Sequence, residues 1–234
     1  MAKRSKRMQQ VDQLVTPGKV YSLEEAVALL KKCPSPKFDQ SINLSLVVGI
    51  DPKKSDQQVR GTVSLPYGTG KKTVVAVIAK GERLKEALEA GADFAGAEDL
   101  LDKIKGGWTD FSALITTPDM MREVGKLGKV LGPRGLMPTP KAGTVTNEVG
   151  KAVKEVKAGK IEFKADKTAS VNAAVGKLSF ESSHLVENLR VILQAIARAK
   201  PASAKGHFLR SLFLSSTMGP GLKIDLQSVQ GVAV

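Results

Sequence analysis

The hydrophobic period of this 234-residue chain changes twice, and that change limits its folds more than any other feature. Near the start, Ile42, Leu44, Leu46, Val48 and Ile50 recur at every second position, and Val59, Val63 and Leu65 share a second strand face. Such alternation puts the apolar side chains on one side of a strand, as in an antiparallel sheet with one covered face. After Pro66 it gives way to Val74 through Ala79, an unbroken apolar run suited to a parallel strand buried on both faces. Past Gly159 alternation returns. Ile161 and Phe163 are expected to pair with Val171, Ala173 and Val175 across a loop holding Asp166 and Lys167.

Helix signals lie between these runs. Ser22 and Glu25 form a capping box ahead of Leu23, Ala26, Val27 and Leu30, and Pro34-Ser35-Pro36 stops that helix. In the middle, one helix turns Leu84, Ala87 and Leu88 inward and ends at Gly91, and a second carries Leu100, Leu101 and Ile104. Asp93 to Ala95 and Ala113 to Ile115 read as short strands, the latter ended by Thr117 as a cap and Pro118 at the first helical position. A helix from Asn147 to Ala158 buries Val149, Val153 and Val156. In the tail, Leu185, Leu189, Ile192 and Ile196 form a helical stripe, followed by a strand pair, His207 to Ser215 and Leu222 to Leu226. Lys3, Arg4, Lys6 and Arg7 read as a flexible basic arm.

The leading 67 residues are a marginal core on their own, so they are expected to join the tail. The predicted architecture is an α+β discontinuous domain, an antiparallel sheet with helices, made of residues 1–67 plus 160–234. Residues 68–159 form an inserted α/β Rossmann-like domain with crossovers of the usual hand. Charge supports the division: the leading piece has 11 basic and 6 acidic residues and the tail 10 and 5, against 15 and 12 in the middle.

The whole chain carries a net charge of +13, which favours a polyanionic partner bound with counterion release. No apolar run is long enough to cross a bilayer, and the basic N-terminus lacks the apolar core of a signal peptide, so we expect no membrane partner and a cytoplasmic site. Cys33 stands alone, which excludes disulfide frameworks and cysteine-rich zinc sites. His184 and His207 are too few for a histidine metal cluster, and neither HExxH nor GxSxG occurs. Gly68 to Thr73 resembles a phosphate loop but departs from the Walker pattern at Leu65 and Lys72, and reads as a hinge loop. We expect no cofactor, no metal and no enzymatic activity. Aromatic content of 4% argues against a stacking platform for single strands. A cofactor-dependent enzyme built on the middle domain and a DNA repressor are the competing classes; protection by ATP or NAD, or competition by duplex DNA, would favour them.

Two places offer contact chemistry. At Thr217-Met218-Gly219-Pro220-Gly221 glycine lets backbone approach a phosphate or sugar, though a plain hairpin turn fits as well. Lys37, Phe38 and Ser41 offer charge, stacking and a hydroxyl, while residue type alone favours Phe38 in the core. Between Arg122 and Val145 lie five glycines, three prolines and five basic residues with Glu123 the only acid. That composition predicts a shaped cationic loop following a helix, anchored by Val130, Leu131, Leu136 and Met137.

LGKVLGPRGLMPTPKAGTV within that stretch resembles the signature of the family of first-numbered large-ribosomal-subunit proteins, which sit on the side stalk beside the transfer-RNA exit site. GIDPKKSDQQVRGTVSLP, AGADFAG and AKGHFLRSLFLSSTMGP extend the resemblance, in order, over nearly the whole chain. The resemblance implies a cytoplasmic ribosomal protein, monomeric when free. It implies binding to the stalk of large-subunit rRNA, contact with exit-site tRNA and repression of its own mRNA through a similar element. Implied RNA contacts fall on Lys37, Phe38, Ser41, Asp166, Lys167, Ser211, Thr217, Met218 and Gly219, with Lys129, Arg134 and Lys141 as a possible second contact. Gln40 departs from the family's acid, and Tyr67 and Asn172 each from a histidine.

Overall fold

In a computed structural model, which describes residues 5–16, 18–204 and 206–227, capping chemistry sets the first elements. The Ser5 side chain accepts from the Met8 N–H and opens α1 (Lys6–Leu14), which buries Val11. Lys6 and Arg7 are therefore helical rather than part of a flexible arm; Lys3 and Arg4 lie outside the described residues. The short strand β1 (Val20–Tyr21) leads into α2 (Leu23–Lys32), where Ser22 and Glu25 close a capping box and Leu23, Ala26, Val27 and Leu30 are buried.

Contacts within the chain separate two compact units. One holds residues up to Gly70 with those from Glu162 onward, the other Lys71–Ile161. The first is built on a five-stranded sheet. Its strands are β1, β2 (Ser41–Val48), β8 (Ser170–Lys177), β9 (Leu209–Ser216) and β10 (Gly221–Ile224), in the order β1-β10-β9-β2-β8. β2 is antiparallel to both β8 and β9, and only β1 with β10 is parallel. α2 and α8 (Ser182–Arg198) pack on each other and on one face. Leu185, Leu189, Ile192 and Ile196 of α8 are fully buried, as are Ile42, Leu44, Leu46 and Val48 of β2, all at or below 1% exposure. Burying four such aliphatic chains on one strand contributes on the order of 6–12 kcal/mol before entropy is counted.

Strand pairing departs from expectation at one place. β7 (Lys160–Lys164) joins β3 (Arg60–Ser64) in a separate two-stranded sheet, while Val171, Ala173 and Val175 belong to β8 on β2. Ile161 and Phe163 lie in β7 on β3, and an isolated Ala165–Val171 bridge just past β7 is what links this segment to β8. Two local facts account for this. The Asp166 carboxylate takes the N–H groups of Thr168 and Ser170 and turns the chain sharply. Phe163, 2% exposed, lies over Gly61 of β3, where a Cβ would come within 2.7 Å of the ring.

The second unit carries a three-stranded parallel sheet, β5 (Phe94–Gly96), β4 (Val75–Ile78) and β6 (Ala113–Thr116), in the order β5-β4-β6. Apolar clusters cover its two faces. One gathers Ala76 and Ile78 with α4 (Glu98–Lys105), α5 (Met121–Lys126) and α6 (Gly128–Leu131); the other gathers Val75 and Val77 with α3 (Glu82–Glu89) and α7 (Val149–Lys157). Leu88 does not turn inward. It is 57% exposed, because Ala87 takes the buried position of this two-turn helix and the next residue lies about 100° round. Thr117 makes no side-chain cap bond; its backbone N–H reaches the Ile78 carbonyl, and Pro118 opens a short 3₁₀ turn. The glycine-rich stretch is helical through Leu131 before it becomes loop.

Candidate nucleic-acid interface

Ser41 opens β2 and anchors the turn between β9 and β10. Its N–H donates to Thr217 Oγ1 at 3.1 Å, and the Thr217 hydroxyl and N–H both donate to the Ser41 carbonyl, at 3.2 and 3.0 Å. Beside it Gln40, 3% exposed, accepts the Met218 N–H on Oε1 at 2.8 Å and donates from Nε2 to Ser35 Oγ at 3.2 Å. Gly219 is the residue that closes the turn: a Cβ there would lie 2.1 Å from Ser216 Oγ. These bonds hold the backbone and leave side chains outside. Phe38 and Met218 are each 51% exposed, and Lys37 is exposed with them. Phe38 is thus a surface ring, not a core residue.

Asp166, Lys167 and Ser211 gather at the opposite end of the same sheet. Val47 of β2 pairs with Ser211 on one side and Ser170 on the other. Asp166 Oδ1 accepts from the Thr168 hydroxyl at 2.6 Å, the Thr168 N–H at 2.8 Å and the Ser170 N–H at 2.9 Å. The Thr168 hydroxyl first, then those amides, hold its carboxyl below the usual range. Asp166 therefore builds the loop that displays the exposed Lys167. Ser41 and Val47 are six residues apart on β2, so the two groups stand about 20 Å apart.

Cross-strand register fills the space between them. Asn43 pairs with Ser215, and Ser45 pairs with Phe213 on one side and Asn172 on the other. Phe213 pairs in turn with Lys223. All lie on the face away from the helices, because their neighbours along each strand are buried. Asn172, Ser45, Phe213 and Lys223 thus form one outward row across four strands, three of them polar and Phe213 37% exposed. Family resemblance points to Ser41 and Ser211 on this face but not to Asn43, Ser45 or Ser215. Their signal was the polar parity of the alternation, filled with hydroxyls and amides rather than the charged residues of an ordinary solvent face. Hydroxyl and amide groups both donate and accept, which suits 2′-hydroxyls and sugar edges.

In the second unit Lys129, Arg134 and Lys141 are exposed. Leu131 is fully buried, and Leu136 and Met137 pack against the same cluster, so the loop is anchored. The Arg134 guanidinium donates to the Thr109 hydroxyl. Among the described residues no group of His, Cys, Asp and Glu could hold a metal ion.

The sequence profile of the ribosomal protein L1p/L10e family matches residues 29–220. The chain belongs to that family. It is 63% identical to large ribosomal subunit protein uL1 of Protochlamydia amoebophila over 97% of this chain and 96% of that protein. It is 57% identical to the uL1 of Chlamydia caviae and 55% identical to that of Kosmotoga olearia, over 98% of this chain and 99% of each relative. As a member of the L1p/L10e family it is a structural protein of the large ribosomal subunit, located with ribosomes in the cytoplasm, and not an enzyme.

Proposed function

We propose that this chain binds the folded side-stalk region of large-subunit rRNA through the open sheet face of its discontinuous unit. It contacts tRNA leaving the exit site and represses its own mRNA through a similar RNA element, and it is a monomer when free. We assign the RNA-binding domain to residues 1–67 plus 160–234 and read 68–159 as a small Rossmann-like insert; the parallel order β5-β4-β6 favours that reading. The observation that carries the proposal is the latch of Ser41 to Thr217, with Phe38 and Met218 left exposed beside it.

The roles divide by chemistry. Lys37 and Lys167 hold phosphates, while Phe38 and Met218 pack on ribose or base faces. Ser41, Ser211 and the Gly219 backbone read sugar hydroxyls and local shape, with Thr217 and Asp166 holding those groups in place. Lys129, Arg134 and Lys141 form a second RNA contact on the insert. The test is binding of a stalk RNA fragment across a salt series. Affinity should fall steeply as salt rises. A Thr217→Val, Met218→Ala double variant should lose about tenfold or more while its melting transition stays cooperative. Salt-independent binding, or full affinity in the double variant, removes the proposed face from the site.

A further inference from the structure

Scarce as aromatics are in this chain, three of them gather in the second unit. Phe94 on the edge strand β5 and Trp108 meet edge-to-face with centroids 4.8 Å apart, and Trp108 lies 5.4 Å from Phe111. Phe111 is buried, and Trp108, Leu136 and Met137 pack partly buried against the cluster that holds it. The aromatics and the glycine-proline loop therefore share one side of the sheet. Phe94 stays 40% exposed.

Charged groups of both signs flank the rings, with the exposed Asp110 between Thr109 and Phe111. Arg134 reaches from the loop to the hydroxyl of Thr109, the residue after Trp108. Asp93, next to Phe94, is offset by Lys157 at 3.3 Å and accepts the Val75 N–H at 2.9 Å. A half-exposed ring and a guanidinium pinned beside its aromatic partner Trp108 are the two components that hold a nucleobase with its phosphate. Low aromatic content argued against a stacking platform; the fold concentrates what there is.

We propose that Phe94 and Trp108, with Arg134, form a stacking site for an unpaired RNA base on the inserted unit. The site rests on the RNA-binding reading above and gives the second contact its ligand class. A flipped or loop nucleotide stacks on Phe94, and Arg134 meets its 5′ or 3′ phosphate. Paired helical RNA, whose bases are already stacked, is not its ligand.

The chain has a single tryptophan, so fluorescence of the full-length protein, excited at the red edge where Tyr21 and Tyr67 do not absorb, reports on this place alone. The probes are a short oligoadenylate, an abasic strand of the same length and a blunt RNA duplex. The oligoadenylate should quench Trp108 saturably, the other two far less. Phe94→Leu should weaken the titration about tenfold and Arg134→Ala about fivefold, while Phe94→Tyr retains it. Equal quenching by the abasic strand, or an unchanged titration in Phe94→Leu, overturns the proposal. The Thr217→Val, Met218→Ala chain separates the two readings. It should lose the stalk fragment yet still be quenched; quenching lost there would place the nucleotide on the other unit and overturn the site.

Discussion

Gln40 shows how a single side chain organises a turn. It is buried, and its amide acts as acceptor toward the Met218 N–H and donor toward Ser35, two opposite roles that one neutral amide fills. Gln40→Leu should lower RNA affinity about tenfold, equivalent to about 1.4 kcal/mol, and speed hydrogen exchange at the Met218 amide. Exchange and affinity both unchanged would show that the turn holds itself. Ala169 is a second such position. With φ at 59° it sits in left-handed backbone that costs an L-residue about 1–2 kcal/mol, partly offset because glycine is looser when unfolded. Ala169→Gly should raise stability by about 0.5–1 kcal/mol in urea unfolding, and a loss would contradict the left-handed geometry.

Among the elements, the strands of the larger sheet do two jobs by parity. Even positions of β2 bury Ile42, Leu44, Leu46 and Val48, and odd positions present Ser41, Asn43 and Ser45. One alternating segment thus makes both the core and the outward polar face. In the smaller unit, ion pairs fasten elements at the surface. The Val75 N–H first, and Lys157 with it, hold the Asp93 carboxyl below its ordinary range, and Lys160 does the same to Glu155 at 2.8 Å. Folding therefore favours the charged form of each. Their contribution is complete above the ordinary carboxylate range and is lost as pH falls through the lowered folded values. Thermal melts should show stability declining from about pH 5 downward, and Asp93→Asn should flatten part of that acid limb. An acid limb identical in the variant would remove Asp93 as a contributor.

Considered whole, the molecule divides its charge unequally. The pieces up to residue 67 and from 160 onward each carry five more basic than acidic residues, against an excess of three in the larger middle segment. Electrostatic attraction for RNA should follow that division. A shortened chain with a brief linker from Tyr67 to Lys160 should fold and keep most of the stalk-RNA affinity and its salt dependence. Circular dichroism and binding on that chain decide the matter: a product without cooperative unfolding would mean that the discontinuous unit depends on its insert.

Much of this architecture was legible residue by residue. The capping box at Ser22 and Glu25, the α8 stripe from Leu185 to Ile196 and the β2 alternation follow from near-neighbour chemistry and period, which act over a few residues. Family wording along nearly the whole chain implied the candidate contacts without their geometry. Tertiary structure alone decided which strands meet, because hydrogen-bonding edges are alike and only side-chain fit selects among them. Phe163 over Gly61 sends β7 to β3, not β8. It also decided exposure, turning Leu88 and Phe38 outward where residue type predicted burial. And it alone joined Ser41 to Thr217 across 176 positions, a separation at which local sequence carries no signal.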